Sequence, residues 1–155
     1  KVIFVENYIN VLKILKKNIN NLKSINNYEI IEQNIYEINL EFYIKNTFDI
    51  IFLDPPFKDK NLDKLLSKIQ NYNLLKENGI IIIHRHKSEK DLFPNKFKII
   101  EEKKYGISKI AICISFSDKS LLSKKSSYKG KHAQKYTHAF NSLLDIFRPA
   151  NPHKL

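Results

Sequence analysis

The chain has 155 residues, 43% of them hydrophobic, with ten Phe and eight Tyr, which suffices for one domain with a real core and excludes disorder throughout. Its one cysteine, Cys113 in the apolar run "IAICISF", excludes a disulfide framework and a cysteine-based zinc site, and reads as a core thiol. The net charge of +11 suggests a polyanionic partner, yet residues 117–155 hold 8 basic and 2 acidic side chains and so carry over half of the excess.

Apolar runs alternate with helix-period segments along the chain. "VIFV" (2–5) reads as a buried strand, and residues 8–22 place Ile9, Leu12, Leu15, Ile19 and Leu22 at helical spacing. "YEIIEQ" (28–33) is a second strand, followed by a weaker helix over 35–45 through Ile35, Ile38 and Phe42. "FDIIFLD" is a third strand, and Leu62, Leu65, Leu66 and Ile69 mark the next helix. Gly79 then opens "IIIIH", a β-branched run suited to a strand covered on both faces. Residues 97–102 and 107–116 leave no room for a crossover helix and predict an antiparallel hairpin through "KKYGIS".

This order predicts an α/β fold with a mostly parallel sheet and a reversed edge. After Phe116 the pattern breaks into Ser- and Lys-rich sequence, so residues 117–155 read as a basic, mobile extension to a domain of residues 1–116. No apolar stretch approaches the ~20 residues that span a bilayer, and no signal-peptide order is present, which makes a cytoplasmic address the expectation. The chain opens on "KVIFVE" without an initiating Met, as though a strand were already in progress, so a truncated N-terminus is expected.

The stretch "DPPF" (54–57) follows the third strand, at the carboxyl end where ligands bind in open α/β sheets. Two prolines fix φ near about −65° and remove two N–H donors, leaving carbonyl oxygens and the Asp54 carboxylate as stiffly held acceptors. Such a rim suits a substrate that brings N–H donors, for example the exocyclic amine of a nucleobase. Accepting both N–H bonds, by Asp54 and the Pro55 carbonyl, favours a pyramidal nitrogen, and Phe57 stacks on the base. The plainer reading is that Asp-Pro-Pro merely ends a strand and begins a loop.

"FDIIFLDPPF", "GIIIIHRHK" and "EEKKYGISKIAICISF" resemble the bacterial methyltransferases that modify a guanine N2 of small-subunit (16S) ribosomal RNA with S-adenosylmethionine. "VIFVENYINVLKILKKNINNL" is similar to that family's second strand and helix, and the resemblance spans about residues 1–116. It implies a Rossmann-like class I methyltransferase sheet, a monomer, and an RNA partner, free or in an assembling small subunit. Asp54, Pro55, Pro56 and Phe57 would then be catalytic. Glu6 would accept hydrogen bonds from the cofactor ribose, while Asn34 and the Ile35 N–H would meet the adenine and Asp54 would also border the cofactor. Otherwise Glu6 is an ordinary helix-end charge and Asn34 an N-cap.

Arg85, His86 and Lys87 are expected near substrate phosphates, and Lys103 and Lys104 likewise. His84 and His86, on one side of a strand end, make a poor metal site without a third ligand, so no metal is expected. Similar motifs in DNA adenine and protein glutamine methyltransferases leave those substrates open, as does a non-catalytic nucleic-acid-binding remnant.

The sequence departs from the resemblance in two ways. The family's first strand and Gly-rich cofactor loop have no counterpart here, because the three glycines are Gly79, Gly106 and Gly130. That strand lies between the strand at 2–5 and the one at 48–53. The 155 residues are therefore expected to expose strand edges, to aggregate, or to rearrange so that these strands pair, and to bind cofactor weakly. The family also normally ends close to its last strand, unlike residues 117–155.

Overall fold

A computed structural model describes residues 1–22, 26–43 and 47–115. The described residues divide into two compact units: those within Lys1–Thr47 and Lys64–Leu74, and those within Phe48–Asp63 and 75–115.

The first unit is built on a βαβ segment. Strand β1 (Val2–Val5) pairs in parallel with β2 (Tyr28–Ile31), in register from Val2↔Tyr28 to Val5↔Ile31. The intervening helix α1 (Ile9–Asn21) buries Leu12 and Ile19, seven residues apart and so on one face, while Ile9, Val11 and Ile14 stay exposed. Helix α2 (Leu62–Asn71) starts in the second unit and runs into the first, with Leu62, Leu65, Leu66 and Ile69 all buried. Asp63 in its first turn and Lys68 in its last complement the helix dipole.

The helix expected over 35–45 does not form over its described residues, 35–43. Asn34 Oδ1 accepts the Tyr36 N–H and Asn39 Oδ1 the Glu41 N–H, so asparagine side chains compete locally for the donors a helix would use. A turn at residues 35–37 and a short 3₁₀ helix at Leu40–Tyr43 take its place.

The second unit is a four-stranded sheet in the order β3-β4-β6-β5, comprising β3 (Phe48–Leu53), β4 (Leu75–His86), β5 (Phe97–Tyr105) and β6 (Ser108–Ser115). β3 and β4 are parallel, and the β5–β6 hairpin closes antiparallel on β4. Its two-residue loop places Gly106 at φ 54°, in the left-handed region where a Cβ is costly. Ile80 to Ile83 are almost wholly buried, as a run covered on both faces must be, and Ile80, Ile82, Ile110, Ile112 and Ile114 form one cluster. β4 begins earlier than the sequence suggests, but its pairing with β3 slips between Phe48↔Leu75 and Ile50↔Ile80. Asn78 within this irregularity has φ 63°, and a Cβ on Gly79 would lie 2.9 Å from the Leu75 side chain.

Among the described residues β1 and β3 each have a single strand neighbour within their own sheets. No described helix is long and apolar enough to cross a membrane. Residues 116–155, including the extension expected to be basic and mobile, lie outside the described residues.

Candidate active site

Strand register assembles the centre of the site in the second unit. Leu53, the last residue of β3, pairs with Ile83 on the parallel strand β4, so Asp54, just past β3, comes beside His84, which is still within β4. His84 Nδ1 stands 2.8 Å from Asp54 Oδ1. The Asp54 side chain is 45% exposed, and Oδ2 has no partner among the described residues.

The two prolines behave differently. The Pro56 carbonyl accepts from Asp59 N at 2.8 Å, closing a turn over residues 56–59, and from Arg85 Nη1 at 3.0 Å. The Pro55 carbonyl has no partner among the described residues. The stretch therefore offers two open acceptors, Asp54 Oδ2 and Pro55 O, on a backbone whose φ angles are fixed. Phe57 is half-buried, with its ring centroid 5.5 Å from both the His84 and the His86 ring, in edge-to-face contacts each worth about 0.5–1.5 kcal/mol beyond buried area.

Arg85 corrects an expectation. Its side chain is 1% exposed, and its donors reach Asp91 Oδ1 (Nε, 3.0 Å), Pro56 O (Nη1) and Asp59 O (Nη2, 2.7 Å). A guanidinium so enclosed cannot meet a phosphate; it holds the loop after β3 in place. Lys109 Nζ lies 3.7 Å from Asp91 and donates to the Glu89 carbonyl, adding to this buried ion cluster. Glu89 accepts from Lys60 Nζ at 2.6 Å, and this hydrogen bond, with the Lys60 and Arg85 charges, holds its carboxyl below the usual range against the opposing effect of desolvation.

The remaining expected RNA contacts are scattered. His86 is half-buried beside Ser88, and Lys87 is exposed with no carboxylate partner among the described residues. Lys103 and Lys104 lie on the hairpin, with Glu101 Oε1 at 3.0 Å and Glu102 Oε1 at 3.9 Å respectively. Among the described residues no group of three or more His, Cys, Asp or Glu is arranged to hold a metal ion. Burial alone pushes the Cys113 thiol up to about 12, leaving it protonated at neutral pH.

A second locus lies in the first unit. A cavity of about 390 Å³ opens beyond the carboxyl ends of β1 and β2, lined by Asn7, Glu32, Gln33, Asn34 and Glu37. Glu6, one residue beyond β1, accepts the Asn7 and Tyr8 N–H groups on Oε1 at 2.8 and 2.7 Å, just ahead of α1, and its Oε2 has no partner among the described residues. Asn34 accepts from Tyr36 N at 3.0 Å and donates to Glu37 Oε1 at 2.9 Å, so it caps a turn as well as lining the cavity; Ile35 follows within that turn. Sequence reasoning missed His84 as the partner of Asp54, and also Glu32, Gln33 and Glu37. The signal for His84 was its place near the carboxyl end of β4, next to the residue that pairs with the last residue of β3. The cavity residues carried no signal beyond lying after β2.

A parallel βαβ segment with a polar cavity at its carboxyl end, an Asp-Pro-Pro-Phe rim at the end of another parallel strand and a closing antiparallel hairpin define the class I methyltransferase fold. Two solved structures share it at a TM-score of 0.60: a Haemophilus influenzae protein provisionally assigned as a methylase (28% identity; 76% of this chain, 73% of that one) and a conserved hypothetical protein of Streptococcus pyogenes (26%; 74% and 71%). This chain belongs to the family described as conserved hypothetical protein 95, whose sequence model matches residues 1–114. It is 32% identical to the ribosomal RNA small subunit methyltransferase D of Haemophilus influenzae over 108 residues, 69% of this chain and 56% of that protein. The protein of the same name in Buchnera aphidicola is 32% identical over 93 residues, 57% and 46% of the two chains. The chain thus spans about half the length of the curated relatives it matches.

Proposed function

We propose that this chain carries the acceptor rim and the adenosine-binding half of an S-adenosylmethionine-dependent methyltransferase acting on the exocyclic N2 amine of a guanine in small-subunit ribosomal RNA. The carrying observation is the division of labour in "DPPF": Pro56 O is engaged by Asp59 and Arg85, while Pro55 O and Asp54 Oδ2 have no partner among the described residues. Two fixed acceptors match the two N–H donors of one amino group. The names of the two ribosomal RNA methyltransferases support RNA as the substrate.

The cavity beyond β1 and β2 fits the cofactor's adenosine end, because its lining of carboxylates and amides offers acceptors for a vicinal diol and an adenine amine. Glu6 Oε2 would take the ribose hydroxyls, and Asn34 with the Ile35 N–H the adenine. When bound, S-adenosylmethionine supplies an electrophilic methyl carbon on a sulfonium sulfur. Asp54 Oδ2 and Pro55 O would accept the N2 hydrogens and favour a pyramidal nitrogen with its lone pair localised and nucleophilic. Phe57 stacks on the guanine and holds the plane of the base, so most of the acceleration comes from positioning. The proton that the amine would lose on methylation could be received by the exposed Asp54 carboxylate. Lys87 is suited to a substrate phosphate.

The same acceptors would hold an adenine amine in DNA or a glutamine amide in protein. The deciding experiment is transfer of a labelled methyl group by the protein, expressed at its full encoded length, to small-subunit RNA, assembling subunits, duplex DNA and a glutamine peptide. Label on guanine N2 of the RNA supports the proposal. Label on DNA or peptide replaces the substrate, and RNA binding without transfer replaces the enzyme with a binding module.

A further inference from the structure

Two imidazoles converge on one aromatic ring. Phe57 meets His84 at 5.5 Å with an interplanar angle of 72°, and His86 at 5.5 Å with 61°. The histidines are two residues apart on β4 and so share a face of the strand. His84 also reaches Asp54 Oδ1 at 2.8 Å. An ionised carboxylate only accepts, so the His84 proton sits on Nδ1. The pattern at His86 is the reverse: its Nδ1 accepts the Ser88 N–H at 3.3 Å and faces the Ser88 hydroxyl at 2.6 Å, which puts its proton on Nε2.

We propose that His84 is a positioning residue for methyl transfer, fixing the Asp54 carboxylate through Nδ1 and bracing the Phe57 ring with the same imidazole. A side chain as exposed as Asp54 would otherwise turn about its own torsions and trade both oxygens with water. With Oδ1 committed to His84, the carboxylate plane is set and Oδ2 is the oxygen left for the amine. His84 is well anchored for this task, since its side chain is 12% exposed and follows the buried run Ile80–Ile83 on a central strand. One residue thereby sets the hydrogen-bonding acceptor and the stacking surface relative to each other, with His86 supporting the ring alone. The inference rests on the methyl-transfer reading of Asp54 and Phe57.

The test has two arms, both on the protein at its full encoded length. Nitrogen-edited spectra of the imidazoles are expected to find the His84 proton on Nδ1, with its resonance moved by Asp54→Asn, and the His86 proton on Nε2. A His84 protonated on Nε2 alone overturns the proposal. In the second arm His84→Asn, whose amide stands near the place of Nδ1, is compared with His84→Gln, whose amide reaches toward Nε2. The Asn variant is expected to keep kcat within about threefold of wild type, and the Gln variant to lose about tenfold to a hundredfold in kcat at similar KM for RNA. An active wild type with both variants equally impaired, or neither, overturns the positioning role alone. A wild type that methylates none of the substrates overturns the enzyme reading and this proposal with it.

Discussion

Asp54 and His84 follow residues paired across β3 and β4, so their meeting is a consequence of strand register. The placement of Asp54, Pro55 and Phe57 as a stiff loop directly after β3 was legible in the sequence, because two prolines after an apolar run end a strand and restrict the backbone. Arg85 was misread because a basic residue between two histidines at a strand end looks solvent-facing until its partners are known. Those partners, Asp91, Pro56 and Asp59, lie 6 to 29 residues away in the chain, beyond the reach of local pattern. The buried cluster predicts that Asp91→Ala, which strands the Arg85 charge, destabilises the protein by about 3–5 kcal/mol in a denaturant titration, far more than an exposed pair would. Cys113 is predicted to resist iodoacetamide at pH 8 in the native protein and to react once unfolded, since burial keeps its thiol protonated up to about 12. Mass spectrometry of the alkylated chain checks this, and rapid native labelling would contradict it.

At the scale of elements, the β-branched run of β4 and the turn chemistry of the hairpin were plain in the sequence, because burial on both faces and a Gly loop each leave a local signature. The stretch after β2 was not, since its apolar spacing fits a helix while Asn34 and Asn39 capture the backbone donors. The loops after β3 and β4 are tied by Lys60 and Glu89 as well as by Arg85. Because the Glu89 carboxyl is held below its ordinary value of about 4.5, its contribution to stability is present above that pH and is lost as the pH falls through the lower folded value. The stability difference between wild type and Glu89→Gln, measured by thermal unfolding, is therefore expected at pH 6 and should shrink on acidification below about pH 4. A difference that grows on acidification would contradict the assignment.

At the scale of the whole molecule, the alternation of strands and helices was readable. The division into two units was not, because periodicity reports which face of an element is buried but not which strand lies beside it. The excess of basic side chains in residues 117–155 lies outside the described residues, so the reading of function rests on the site and not on the net charge.

The most direct measurement is single-turnover methyl transfer to guanine N2 by the protein at its full encoded length and by Asp54→Ala, with S-adenosylmethionine saturating for each. The acceptor rim predicts a rate at least about a hundredfold lower for the variant, comparable to removal of one preorganised electrostatic group elsewhere. An undiminished rate would contradict it.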